Sequence, residues 1–148
     1  MLTRSVGFSI VQGKTQTLFM AEQPNARIVF TDGRPMPKPG DAPAGIAGYS
    51  VGRWEGEDFV IESIGVGGVP AGGRSGPNTR LIERYRLINN GTVLQGTYTW
   101  EDPSIYAKPF TYQYVFSKAD KTQYSREEWC DSSDPAQTQS ITPPVQIQ

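Results

Sequence analysis

The chain has 148 residues, enough for one domain that buries roughly 68–70% of its unfolded surface without help from disulfides or metals. Fourteen basic residues against fifteen acidic ones leave a net charge of −1, which argues against the basic footprint of a nucleic-acid binder. With no histidine and one cysteine, Cys130, the standard Ser-His and Cys-His pairs, zinc clusters and an internal disulfide are excluded.

Short runs rich in Val, Ile, Thr, Phe and Tyr, punctuated by Gly and Pro, predict strands and no long helix. In chain order they fall at about 5–11, 14–20, 26–31, 48–54, 58–64, 80–88, 92–100 and 109–117. Gly13, Glu55-Gly56-Glu57 and Asn90-Gly91 mark hairpin turns. Asn90-Gly91-Thr92 also matches a glycosylation sequon, which a hairpin turn explains better. The expected fold is all-β, an eight-stranded antiparallel up-and-down barrel, with an open β-sandwich as the runner-up. A barrel of that size is filled by side chains or holds one small ligand.

Two connections exceed a simple turn, Asp32–Gly48 and Gly65–Asn78. The second has Gly-x-Gly spacings but no Gly-Lys-Ser/Thr ending, and Pro70 and Pro77 leave no room for the helix of a phosphate loop, so no nucleotide site is expected. The barrel domain is expected over 1–130, with a polar tail over 131–148 that either stays free or drapes over a neighbouring subunit. No apolar run approaches the roughly 20 residues of a membrane span, and the first residues lack a signal-peptide core. The chain therefore reads as soluble and cytoplasmic, with no membrane or nucleic-acid partner; a homodimer is carried as the option for assembly.

Alternation along the strands selects candidate site residues. Phe110, Tyr112, Tyr114 and Phe116 share one face of the last strand, and Leu94, Gly96, Tyr98 and Trp100 share one face of the seventh, giving an aromatic wall that is either core or pocket lining. On the sixth strand the arginine-bearing face, with Arg80, Arg84 and Arg86, looks solvent-facing, which sends Glu83 inward with Leu81, Tyr85 and Leu87. Desolvation would raise the pKa of such a carboxylate toward that of a useful acid or base. In "GYSVGRWEGEDFVIES", Tyr49, Val51 and Arg53 share a face, so Arg53 is expected inward against Glu83, with Trp54 packed outside or beside the turn. A buried Arg-Glu pair that only fixes register is the structural alternative.

Four motifs occur in order: "RIVFTDGRPMP", "GYSVGRWEGEDFVIES", "LIERYRL" and "EDPSIYAKPF". Over about residues 15–130 the chain resembles a large group of poorly characterised bacterial proteins, with which a lipocalin-like barrel is associated. The resemblance carries over Asp32, Arg34, Ser50, Arg53, Trp54, Glu55, Glu83, Arg84, Asp102, Tyr106 and Pro109. Relatives usually have His where this chain has Met36, often His at Tyr49, and tend to carry a secretion signal and an extra N-terminal segment. The Asp32-Gly33-Arg34-Pro35 stretch is read either as part of the site or as a fixed turn.

Three functions compete. The first is a cofactor-independent lyase, decarboxylase, isomerase or cyclase acting on a small apolar or aromatic molecule, with no metal and no cofactor. In it Glu83 is the acid or base, Arg53 the anion binder and Tyr49 a donor, while Tyr85, Tyr98, Trp100, Tyr112, Tyr114, Trp54, Asp32 and Arg34 line the ligand site. The second is a non-catalytic carrier or sensor of a small hydrophobic ligand. The third is a structural protein whose barrel is filled.

Overall fold

A computed structural model describes residues 8–21, 26–43, 46–67 and 75–119. Cys130 and the tail over 131–148 lie outside the described residues, as does half of the glycine-rich stretch over 65–78. Eight strands form a single sheet in sequential order: β1 (Phe8–Gln12), β2 (Gln16–Ala21), β3 (Ala26–Phe30), β4 (Tyr49–Glu55), β5 (Asp58–Ile64), β6 (Arg80–Ile88), β7 (Val93–Glu101) and β8 (Phe110–Ser117). All eight lie where alternation and turn residues predict them, and one sheet replaces the two of a sandwich.

The expectation of antiparallel pairing throughout is corrected at one place. β3 and β4 run parallel, paired only at Val29 with Ser50 and Phe30 with Val51. A parallel pair needs a crossover of a dozen or more residues, and residues 31–48 supply it. The sheet curls strongly into a half-barrel, bringing the ring of Phe8 on β1 to within 4.9 Å of Phe116 on β8, edge to face.

Tight turns fix the registers. Gly56, with φ of 62°, opens the two-residue turn between Glu55 and Asp58. At the β6–β7 turn Asn89 and Asn90 both hold positive φ, 50° and 54°, the backbone that primed hairpin turns require and that Asn tolerates better than most residues.

The concave face carries the core, with Phe19, Val29, Phe59, Ile61, Leu81, Tyr85, Tyr98 and Trp100 all buried. Gly52 is part of this packing, because a Cβ there would lie 2.7 Å from Val29 Cγ1. The convex face divides in two. Over β1–β3 it exposes Val11, Met20 and Ile28, whereas over β4–β7 it is laced with ion pairs. Arg53 bonds Glu55 and Glu62, Arg80 bonds Glu62, and Arg84 bonds Glu55 and Asp58, at 2.6–2.8 Å. Arg86 also bonds Asp58. Val60, flanked in register by Arg53 and Arg84, is 1% exposed, as expected where arginine stems lie along an apolar surface.

Candidate functional site

Alternation on β3 places Arg27 and Val29 on the concave face, and on β6 it places Glu83 and Tyr85 there. Arg27 is 5% exposed and Glu83 0%, and their side chains form an ion pair through Arg27 Nη2 and Glu83 Oε2. Small residues on the intervening strands leave room for the guanidinium. Arg27 Nε donates to Ser50 Oγ on β4 at 3.1 Å, and Nη2 donates to Ser63 Oγ on β5 at 2.7 Å. The two hydroxyls lie 2.9 Å apart. On the far side, Tyr85 donates its hydroxyl to Glu83 Oε1 at 2.9 Å and lies 3.2 Å from the Tyr98 hydroxyl.

This arrangement decides the charge on Glu83. Burial pushes its carboxyl up, but the charge and hydrogen bonding of Arg27, with the Tyr85 hydroxyl, outweigh it and hold the pKa below the ordinary carboxylate range. The expected rise is therefore corrected, and Glu83 is a carboxylate at neutral pH. Burial would lower the pKa of Arg27, and the adjacent Glu83 reverses the sign. Burial, with the carboxylate of Glu83 nearby, raises both Tyr85 and Tyr98, so these phenols stay protonated.

A cavity of about 480 Å³ opens beside this cluster, at the end of the half-barrel where the β4–β5 turn lies. Its wall is Ile10 and Gln12 of β1, Trp54 of β4, Glu57 of the turn, Phe59 of β5, Tyr85 and Leu87 of β6, and Leu94 of β7. Tyr85 belongs to both regions. It forms part of the cavity wall, and its hydroxyl is committed to Glu83 and Tyr98. Glu83 itself is not among the lining residues.

The remaining predicted residues divide between the two faces. Tyr98 and Trp100 are buried on the concave face, and Tyr112 and Tyr114 are half-buried there. Tyr98 stacks on Tyr112 at 5.1 Å, and Trp100 Nε1 donates to the Tyr112 hydroxyl at 3.4 Å. Trp54 is on the concave face at the cavity mouth, 59% exposed and 5.1 Å from Phe59, rather than outside. Arg53 and Tyr49, expected inward, are on the convex face. The inner positions of β4 are Ser50 and Gly52, small enough for the Arg27 guanidinium and the Phe59 ring to fit against them.

Asp32 and Arg34 form a fixed turn away from the cavity. Arg34 Nε and Nη2 bond the Asp32 carboxylate at 2.9 and 2.6 Å, which holds that carboxyl at about 2. The Arg34 guanidinium lies 3.8 Å from the centre of the Phe30 ring, and Tyr49 packs on Phe30 at 5.2 Å. Asp102 is likewise a lock. Its carboxylate accepts from Ser104 N at 3.0 Å, Ser104 Oγ at 2.6 Å and Thr79 Oγ1 at 2.7 Å, tying the β7–β8 loop to the chain entering β6.

Sequence reasoning misses Arg27, Ser63 and the β1 side of the cavity. For Arg27 the signal is present in "ARIVF", where it shares a face with Val29. Among the described residues no group of three or more His, Cys, Asp or Glu side chains is placed to hold a metal. Comparison with protein-family models, with curated proteins and with solved structures finds no significant match.

Proposed function

We propose that the protein is a small-molecule-binding barrel, a carrier or sensor that takes a small apolar or aromatic ligand into the cavity between β1 and β7. The observation that carries this reading is the cavity itself. At about 480 Å³ it lies in the usual range for ligand sites, its wall is mainly aromatic and aliphatic, and a few polar groups reach it. The Phe8–Phe116 contact supports a lipocalin-like closure of the barrel along β1 and β8 around the occupant.

A compound panel read by native mass spectrometry tests it, with Leu94→Trp as the filled-cavity control. Retention of an apolar compound by the wild type and its loss in the folded variant is the expected result. Equal retention by both, or by neither, overturns the reading.

Cofactor-independent acid–base catalysis is the second reading, and it rests on the Tyr85–Glu83 hydrogen bond. That bond is a route by which a proton could pass between the cavity wall and the enclosed carboxylate. In this case a compound retained by the wild type is also converted, and Tyr85→Phe stops conversion while leaving retention intact. Binding is favoured over catalysis because Glu83 is 0% exposed, ion-paired with Arg27 and engaged by the Tyr85 hydroxyl.

A further inference from the structure

Within the ligand-binding reading, on which it rests, the chemistry of the mouth narrows the ligand class. We propose that the site selects an amphipathic cation, whose ammonium-type head lies between Trp54 and Glu57 while its apolar body lies against Ile10, Leu87 and Leu94.

Among the described residues, Glu57 is the only charged side chain lining the cavity. The other carboxylates on β4–β6, Glu55, Asp58, Glu62 and Glu83, each pair with an arginine. Glu57 takes no ion pair or hydrogen bond among the described residues. Arg86 feels its charge but bonds Asp58. The mouth thus presents a carboxylate with no direct partner among the described residues.

Trp54 adds the second element. It is 59% exposed, although a tryptophan of the concave face could bury far more, and among the described residues its one ring partner is Phe59 at 5.1 Å. Indole is the best cation–π acceptor among the side chains. Gly56 and Glu57 form a two-residue turn between paired Glu55 and Asp58, so both side chains project from a short hairpin whose backbone is fixed. An anionic amphiphile would have to bring its carboxylate beside Glu57, with no cation among the described lining residues to meet it.

Isothermal titration calorimetry on the full chain at low salt tests this with decylamine, decanol and decanoate, which share one tail. Decylamine should bind most tightly and decanoate most weakly. Glu57→Gln, a change on an exposed turn, should weaken decylamine about two- to fivefold and leave decanol unchanged. Trp54→Leu should lower the amine-to-alcohol ratio by a similar factor. Raising the salt should shrink the amine's advantage. Decanoate binding as tightly as decylamine, or an amine-to-alcohol ratio unmoved by Glu57→Gln, overturns the selectivity while decanol binding preserves the cavity reading. If none of the three binds, the cavity reading fails and the selectivity fails with it.

Discussion

Replacing Arg27 by Met keeps most of the stem and removes the charge that holds Glu83 ionised. Glu83 is 0% exposed, so the variant must either bury an unpaired carboxylate or protonate it. Breaking a buried pair by removing one partner costs about 3–5 kcal/mol, a large part of the roughly 5–15 kcal/mol that stabilises a domain. Glu83→Gln leaves Arg27 stranded and should cost a similar amount. In Arg27→Met/Glu83→Gln both charges are gone, and the surviving hydroxyls still have each other, Ser50 with Ser63 and Tyr85 with Tyr98. The double variant should therefore be more stable than the sum of the singles implies, by about 2 kcal/mol or more. Arg53→Met, on the solvated convex face, should stay within about 1 kcal/mol. Urea unfolding followed by tryptophan fluorescence, at unchanged m, reads all four. An Arg27→Met loss below about 1 kcal/mol, or strict additivity in the double variant, would refute the reasoning. Acid gives an independent check. The folded pKa of Glu83 lies below its unfolded value, so its contribution is present at neutral pH and is lost as pH falls from about 4.3 through the folded pKa. The salt-bridged Glu55, Asp58 and Glu62 share that sign. The quantity to read is therefore the difference between wild type and Glu83→Gln, whose stability should fall less steeply with acid.

Burial raises Tyr85 and Tyr98, so the folded state holds phenolic protons that the unfolded chain releases near pH 10, and stability should fall as pH rises through that range. Phenolate absorbance should then show fewer than the chain's seven tyrosines titrating before circular dichroism reports unfolding; all seven ionising in a folded protein would contradict the buried placement. Gly52→Ala would place a Cβ 2.7 Å from Val29 and 2.9 Å from Phe59, and this overpacking should cost about 1–3 kcal/mol in the same urea assay. A loss under about 0.5 kcal/mol would mean that β4 moves away from Val29 more freely than the packing implies.

The strands were legible because a period of two, broken by Gly and Asn turns, is a local signal. Where one face of a strand is unambiguous, as on β6 with its three outward arginines, the inward set follows: Glu83 and Tyr85 are at the polar cluster and Leu87 at the cavity mouth. On β4 the same logic points the wrong way. Tyr49, Val51 and Arg53 look like a wall, and Ser50 and Gly52 look like filler, but the small residues are inside because a guanidinium from β3 occupies the space before them. That choice depends on which strand lies beside β4, and the parallel β3–β4 pairing is set by a long connection rather than by any residue within β4. The cavity was harder still, since it joins side chains from β1, β4, β5, β6 and β7.

The same parallel seam accounts for the buried pair. β3 and β4 share backbone pairing at only two positions, whereas the antiparallel neighbours pair over at least five. Arg27 crosses that weak join with its side chain, reaching Ser50 on β4, Ser63 on β5 and Glu83 on β6. It ties β1–β3 to β4–β8 where main-chain bonds are few. Through Glu83 the tie continues to the Tyr85 hydroxyl, and so to the ring that forms part of the cavity wall. Arg27→Met should therefore loosen the first three strands before the rest, with faster amide exchange on β2 and β3 than on β6 and β7. It should also weaken ligand retention, although Arg27 does not line the cavity. Uniform acceleration of exchange across the sheet would mean that the pair stabilises the domain as a whole and does not act at the seam.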